Sequence, residues 1–242
     1  MTHSTRWMVG LAAALVLSTA ASASASGPVA PDQALQRLKD GNARFVADAL
    51  AGVSVGRARR DVLVAGQEPF AIVLSCADSR VPPEFVFNVG LGELFVVRTA
   101  GEVADRAVLA SVEYAAEHLH APLLLVMGHE SCGAVKAASA GDAHDLGPNL
   151  EYLVKHIQPA VKRTQSEPEA ERLRAAVLAN VEQVINDVLG ESRLLSSMVD
   201  AGKLQVVGGY YELASGRVSF TKPIGRAPAS TTTPASTPHP GR

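Results

Sequence analysis

Two short stretches carry the residue types that hold a catalytic metal: Cys76-Ala77-Asp78-Ser79-Arg80 and His129-Glu130-Ser131-Cys132. Two cysteines and one histidine brought together fill three of zinc's four tetrahedral positions. Three protein ligands with one open position is the catalytic pattern rather than the structural one. His129 and Cys132 are three residues apart, so a single turn can aim both at one point. Cys76 precedes His129 by 53 residues, enough for a strand-helix-strand excursion that returns to the same edge. Asp78 and Arg80 follow Cys76 closely enough to reach the metal or each other. The chain has two cysteines, and both fall in these motifs.

Each motif ends a continuous apolar run, Phe70 to Leu74 and Leu123 to Met127. Runs of that length without polar alternation suit strands buried on both faces, as in a parallel sheet covered by helices. The expected fold is therefore α/β: a central, mostly parallel sheet flanked by helices. Both motifs then sit at the carboxyl edge of the strands, where ligands bind in such sheets. Leu94 to Arg98 reads as a further strand and Ala104 to Leu119 as a helix, which Pro122 separates from the next strand. The polar stretch from Ser139 to Glu169, with Gly141, Gly147-Pro148 and Pro159, reads as loop with broken helix. Helices follow over Glu169 to Leu189 and Arg193 to Val199. Strands are expected at Leu204 to Val207, and at Tyr210 to Leu213 paired with Arg217 to Phe220 through Ala214-Ser215-Gly216.

Cys-x-Asp-x-Arg followed by His-x-x-Cys resembles the β class of carbonic anhydrases. Ser79-Arg80-Val81-Pro82, Gly92 to Arg98 and Gly128 to Gly133 agree with it, and the resemblance runs from about Asp32 to about Phe220. It implies one Zn²⁺ per subunit on Cys76, His129 and Cys132. Zinc lowers the pKa of its bound water from 15.7 towards about 7, and the resulting hydroxide attacks CO₂ to give bicarbonate and a proton. The resemblance gives Asp78 two roles: orienting the hydroxide, or swinging onto zinc as a fourth metal ligand that shuts the site. Arg80 decides between them, because its bidentate fork can hold the carboxylate off the metal. The resemblance also implies a substrate cleft at a subunit interface, lined by Gln67, Phe95, Tyr114 and Gly133, in a homodimer or homotetramer. It further makes the first helix, with Leu35, Leu38 and Phe45 in a stripe, an arm on a partner subunit; spacing alone fits packing within the chain equally well.

Val73 stands where bicarbonate-inhibited members carry tryptophan, which favours the open form, although Arg98 of that pocket matches. Thr99 and Glu102 stand where many members carry asparagine. Alternatives on the same zinc site are hydrolysis of a CO₂ analogue, carbonyl sulfide or carbon disulfide, and a non-catalytic zinc or thiol-redox protein. His118 and His120 read as helix-end residues favoured by the dipole. His144 and His156 read as solvated, with a proton-relay role as the alternative. Arg57 to Arg60 reads as a solvated or partner-contacting cluster.

The 242 residues suffice for one good-sized domain, and 47% hydrophobic residues can bury a sizeable core. A formal charge of −2 gives no sign of nucleic acid or an anionic membrane as partner. Met8 to Leu17 is apolar but too short to span a bilayer. With Arg6 before it and Ala23-Ser24-Ala25 or Ala21-Ser22-Ala23 after it, residues 1–25 read as a secretory signal peptide, which makes the protein periplasmic or secreted and free of the membrane. The domain then covers 26–226. The Pro/Ser/Thr-rich tail 227–242, with His239, reads as disordered.

Overall fold

In the computed structural model, residues 29–50, 52–141 and 147–225 are described. The signal-peptide and tail segments, His144 and His239 lie outside them. No helix among the described residues is long and apolar enough to cross a membrane.

Strands β1 (Ala71–Cys76), β2 (Leu94–Thr99), β3 (Leu123–His129), β4 (Gln205–Tyr211) and β5 (Val218–Phe220) form one sheet in the order β2-β1-β3-β4-β5. The first four are mutually parallel and β5 runs antiparallel to β4. Apolar residues alternate between two cores on opposite faces. Ala71, Val73, Leu125 and Met127 join one, against helices α1 (Pro31–Val46), α5 (Gly133–Ala140) and α6 (Pro148–Arg163). Ile72, Leu74, Leu124 and Val126 join the other, against α4 (Arg106–Glu117) and α8 (Arg193–Asp200). The long α7 (Glu169–Glu191) feeds both, with Val177 in the first and Val181 and Val184 in the second. Helices on both faces explain why the strands lack alternation.

Local chemistry sets the ends. Asp105 accepts from the Val108 N–H at 2.9 Å and starts α4. Ser192 separates α7 from α8 by capping Leu195 N–H. The stretch expected to be loop and broken helix instead holds an unbroken α6, with Pro159 inside it. Val154, Ile157 and Val161 recur on one face of α6 and are buried, and that burial outweighs the hydrogen bond lost at the proline. The two strands expected at Leu204 to Leu213 are one strand, β4, continuous through Gly208 and Gly209. These glycines lie so close to Val181, Thr221 and Leu125 that added Cβ atoms would meet them at about 3.0 Å. The Arg57 to Arg60 cluster lies on a short helix, α2 (Arg57–Leu63), where Arg59 and Arg60 donate to Leu91 O and Val55 O.

Helix α1 packs on its own chain, burying Ala34, Leu35 and Leu38. Its anchor is Asn42, whose Nδ2 donates to O of Val86 (3.2 Å), at the end of the short helix α3 (Pro83–Val86), and to Gly216 O (2.8 Å), while its Oδ1 accepts from Val218 N–H (2.9 Å). Three segments distant in sequence are thereby tied by one buried amide. Asn42→Ala strands these backbone groups without partners and should lower the unfolding free energy by about 2–4 kcal/mol. The check is a lower denaturant midpoint at unchanged slope.

Candidate metal centre

The strand order places β1 between β2 and β3, so the connections leave β1 on opposite sides and a crevice opens at its carboxyl end. Ser75 pairs with Met127, which sets Cys76 level with Gly128 and His129 one residue further along β3. Both are the last residues of their strands. After His129 the chain turns through Ser131, at φ 55°, and brings Cys132 to the start of α5. The ligand atoms of Cys76, His129 and Cys132 lie within 4.8 Å of one another and all three residues are buried.

These residues fit a zinc ion. The two sulfurs are 3.9 Å apart. His129 Nδ1 is hydrogen-bonded to Glu130 O at 2.8 Å, which fixes the ring, while its Nε2 is buried without a partner. A buried nitrogen without a partner is unfavourable unless something accepts its lone pair. A donor set of two sulfurs and one imidazole nitrogen suits zinc. In the absence of metal, the hydrogen bond from Cys132 holds the Cys76 thiol well below its ordinary value, helped by His129 and the Gly101 N–H against the opposing effect of burial. Cys132 is pushed up, by its bond with Cys76 and then by burial.

Asp78 has both carboxylate oxygens on Arg80, with Nε to Oδ1 at 2.8 Å and the terminal nitrogen to Oδ2 at 2.6 Å. The Arg80 N–H adds a third bond to Oδ1 at 3.0 Å. Oδ2 stands 3.8 Å from His129 Nε2, beside the three ligand atoms rather than among them. The Arg80 hydrogen bonds hold the Asp78 carboxyl well below the usual carboxylate range. Arg98 bonds Cys76 O (3.0 Å) and Asp78 O (2.5 Å), fixing the backbone of the first motif.

Of the cleft residues named from the sequence, Gly133 adjoins a ligand, whereas Phe95 lies towards the other end of its strand. Gly133 opens α5 directly after Cys132 and is exposed. Phe95 pairs with Ile72 and lies four residues before Thr99, the partner of Cys76. That puts it about 13 Å back along the strand from the ligand edge. Phe95 packs on Tyr114, ring centroids 6.3 Å apart, and Tyr114 is 47% exposed. Gln67 is exposed ahead of β1. The His118 ring packs at a tilt on Tyr114, and that of His156 on Tyr152.

Sequence reasoning overlooked what stands behind Cys76. The Gly101 N–H points at its sulfur, 3.4 Å away, and Asn180 from α7 bonds the adjoining turn. Asn180 lies 104 residues from Cys76, in the middle of the helix expected over Glu169 to Leu189, so no local pattern flags it. Glu102, in that turn, is fully buried, and burial pushes its carboxyl up to about 8. The folded protein thus keeps a proton that the unfolded chain releases near the ordinary value of 4.5. The associated stability is full below that value and is lost as pH rises towards about 8. Denaturant midpoints should fall from about pH 5 to about pH 8, and fall less in Glu102→Gln.

The family model described as carbonic anhydrase matches residues 71–218. Carbonic anhydrase 2 of Mycobacterium tuberculosis is 40% identical over 197 residues, covering 81% of this chain and 95% of that protein. The carbonic anhydrase of Mycolicibacterium smegmatis is 41% identical over 210 residues, covering 83% and 96%. Among solved structures, the Coccomyxa β-carbonic anhydrase in complex with acetazolamide matches with TM-score 0.63 and 26% identity, over 79% of this chain and 88% of that one. The β-carbonic anhydrase CcaA matches with TM-score 0.62 and 26% identity, over 77% and 94%. With its ligand triad at the switch point of the same parallel sheet, the chain belongs to the carbonic anhydrase family, in its β class.

Proposed function

We propose that the protein catalyses the reversible hydration of CO₂ to bicarbonate and a proton. The observation that carries this reading is the convergence of Cys76, His129 and Cys132 beside a carboxylate held by an arginine fork. Those three residues would hold one zinc ion, which supplies Lewis acidity and lowers the pKa of coordinated water towards about 7.

The chain's own residues do the rest. Arg80 keeps Asp78 ionised throughout the neutral range, so Asp78 is a poor proton carrier and a constant hydrogen-bond acceptor. In that role it orients the attacking oxygen by accepting its hydrogen, which leaves a lone pair directed at the CO₂ carbon. The bidentate grip fixes the carboxylate plane, and lysine in its place would supply charge without the fork. Arg98 keeps Cys76 and Asp78 in register through their carbonyls.

We assign Gln67, Phe95, Tyr114 and Gly133 to the substrate cleft of a homodimer or homotetramer. The distance of Phe95 from the ligand edge of its own chain supports a cleft completed by a second subunit. So does β2, an edge strand with all six residues half-buried, whose Leu94 lines one pocket with the exposed Leu50, Val55, Phe85 and Leu91. Export to the periplasm or medium is our reading of residues 1–25 alone.

The test is stopped-flow CO₂ hydration by the mature chain, with zinc counted in the same sample. Fast hydration with about one zinc per chain, rising with pH, is expected. Zinc without hydration of CO₂, but with turnover of carbonyl sulfide or carbon disulfide, would overturn the substrate assignment. A zinc-free Cys76–Cys132 disulfide in the active preparation would overturn the metal. Cys76→Ser and His129→Ala should lose zinc and activity together. Asp78→Ala should keep zinc and lose about 10²-fold or more in kcat, the size expected for a misplaced reactant. Arg80→Lys should fall between Asp78→Ala and the parent. Light scattering on a sizing column should give a dimer or tetramer.

A further inference from the structure

The turn after β2 holds an arrangement that the motifs leave unexplained. Gly101 and Glu102 both lie in the left-handed region, at φ 66° and 47°. Glycine adopts this freely; a glutamate does so only where its surroundings enforce it. The conformation aims the Gly101 N–H at Cys76 Sγ. A side chain in place of the glycine would be strained by the positive φ, and its Cβ would press on Ile157 Cδ1 at 2.6 Å and Ala134 Cβ at 3.1 Å.

Asn180, fully buried in the middle of α7, grips this turn from behind. Its Nδ2 donates to Gly101 O and to Glu102 Oε1, each at 2.9 Å. Residue 101 is therefore held by its carbonyl while its N–H reaches the sulfur. The neighbouring Val177 and Val181 pack so tightly against Gly128 that a Cβ there would meet them at 2.7 and 2.8 Å, and Glu102 Oε1 at 3.2 Å. Packing α7 on the sheet calls for apolar residues at such a contact. An amide and a carboxyl buried there, with Asn180 Oδ1 and Glu102 Oε2 left unpaired, are unfavourable for packing alone.

We infer that Asn180 and Glu102 are positioning residues that hold the Gly101 N–H on Cys76 Sγ and thereby tune that sulfur as a metal ligand. This rests on the reading of Cys76 as a ligand. An N–H donated to a thiolate draws electron density from the sulfur, and partners of this kind set ligand orientation and metal affinity. Asn180 supplies the grip. Glu102 supplies the acceptor that keeps the Asn180 amide turned towards the turn.

The test replaces zinc with Co²⁺ in the full chain and records the thiolate-to-cobalt charge-transfer band, with metal affinity measured by competition with a chelator. Asn180→Ala should move the band to lower energy, because the sulfur regains electron density, and should weaken metal binding by about 10–100-fold. Glu102→Gln keeps the accepting oxygen and should leave the band where it is. Val184→Ala, in the α7 face of the opposite core, should lower the unfolding midpoint without moving the band. If Asn180→Ala does not fold, the near-isosteric Asn180→Leu should give the same shift. An unshifted band with unchanged affinity in the Asn180 variant overturns the inference. A parent protein that binds cobalt without any thiolate band would instead overturn the assignment of Cys76.

Discussion

The parallel register of β1 on β3 is the constraint from which the site follows. With Ser75 level with Met127, the last residues of two neighbouring strands, Cys76 and His129, must emerge side by side. A shift of one residue would turn every side chain on β3 to the other face and separate the pair. The register is held by apolar residues on both faces, since each strand contributes alternately to two cores. Cys132 then needs only the short turn through Ser131 to join them. The glycine at 128 belongs to the same constraint, because α7 reaches the sheet there with no room for a side chain.

Around this frame, charged and polar groups are used where a hydrogen bond to the backbone or to a carboxylate can satisfy them. Arg98 holds two carbonyls of the first motif and Arg80 holds a carboxylate at its rim, half exposed to water. The exposed end of that pair contributes little to stability, and its value lies in geometry. Behind the sulfur the balance differs. Glu102 and Asn180 are fully buried, so the two bonds that Asn180 donates, to Glu102 and to Gly101 O, have to offset the burial of two polar groups and a strained backbone at Glu102. A stretch that is unfavourable for folding and adjoins the metal ligands fits the general expectation that strain collects at functional sites.

The parallel α/β fold was legible in advance because buried parallel strands carry an unmistakable composition. The runs from Phe70 and Leu123 became β1 and β3 with small shifts at their ends. Helix α6 was misread because Gly147-Pro148 and Pro159 outweighed its apolar spacing, whereas Pro148 begins the helix and Pro159 is carried by buried neighbours. Strand β4 was split in two because two glycines looked like a break, when they mark a close approach.

Residue chemistry within a few positions of each motif is a property of the sequence alone: two thiols and an imidazole suited to zinc, and an aspartate within reach of an arginine. Their spacing also implies that they meet, given strands that run parallel. Which groups stand behind those ligands is decided by tertiary structure. Helix α7 reaches Gly101 from some eighty residues away, and Arg98 reaches Cys76 and Asp78 across a strand pairing. Hydrogen bonds between residues so far apart depend on how helices dock on the sheet, and docking follows from packing of the whole core rather than from any local pattern.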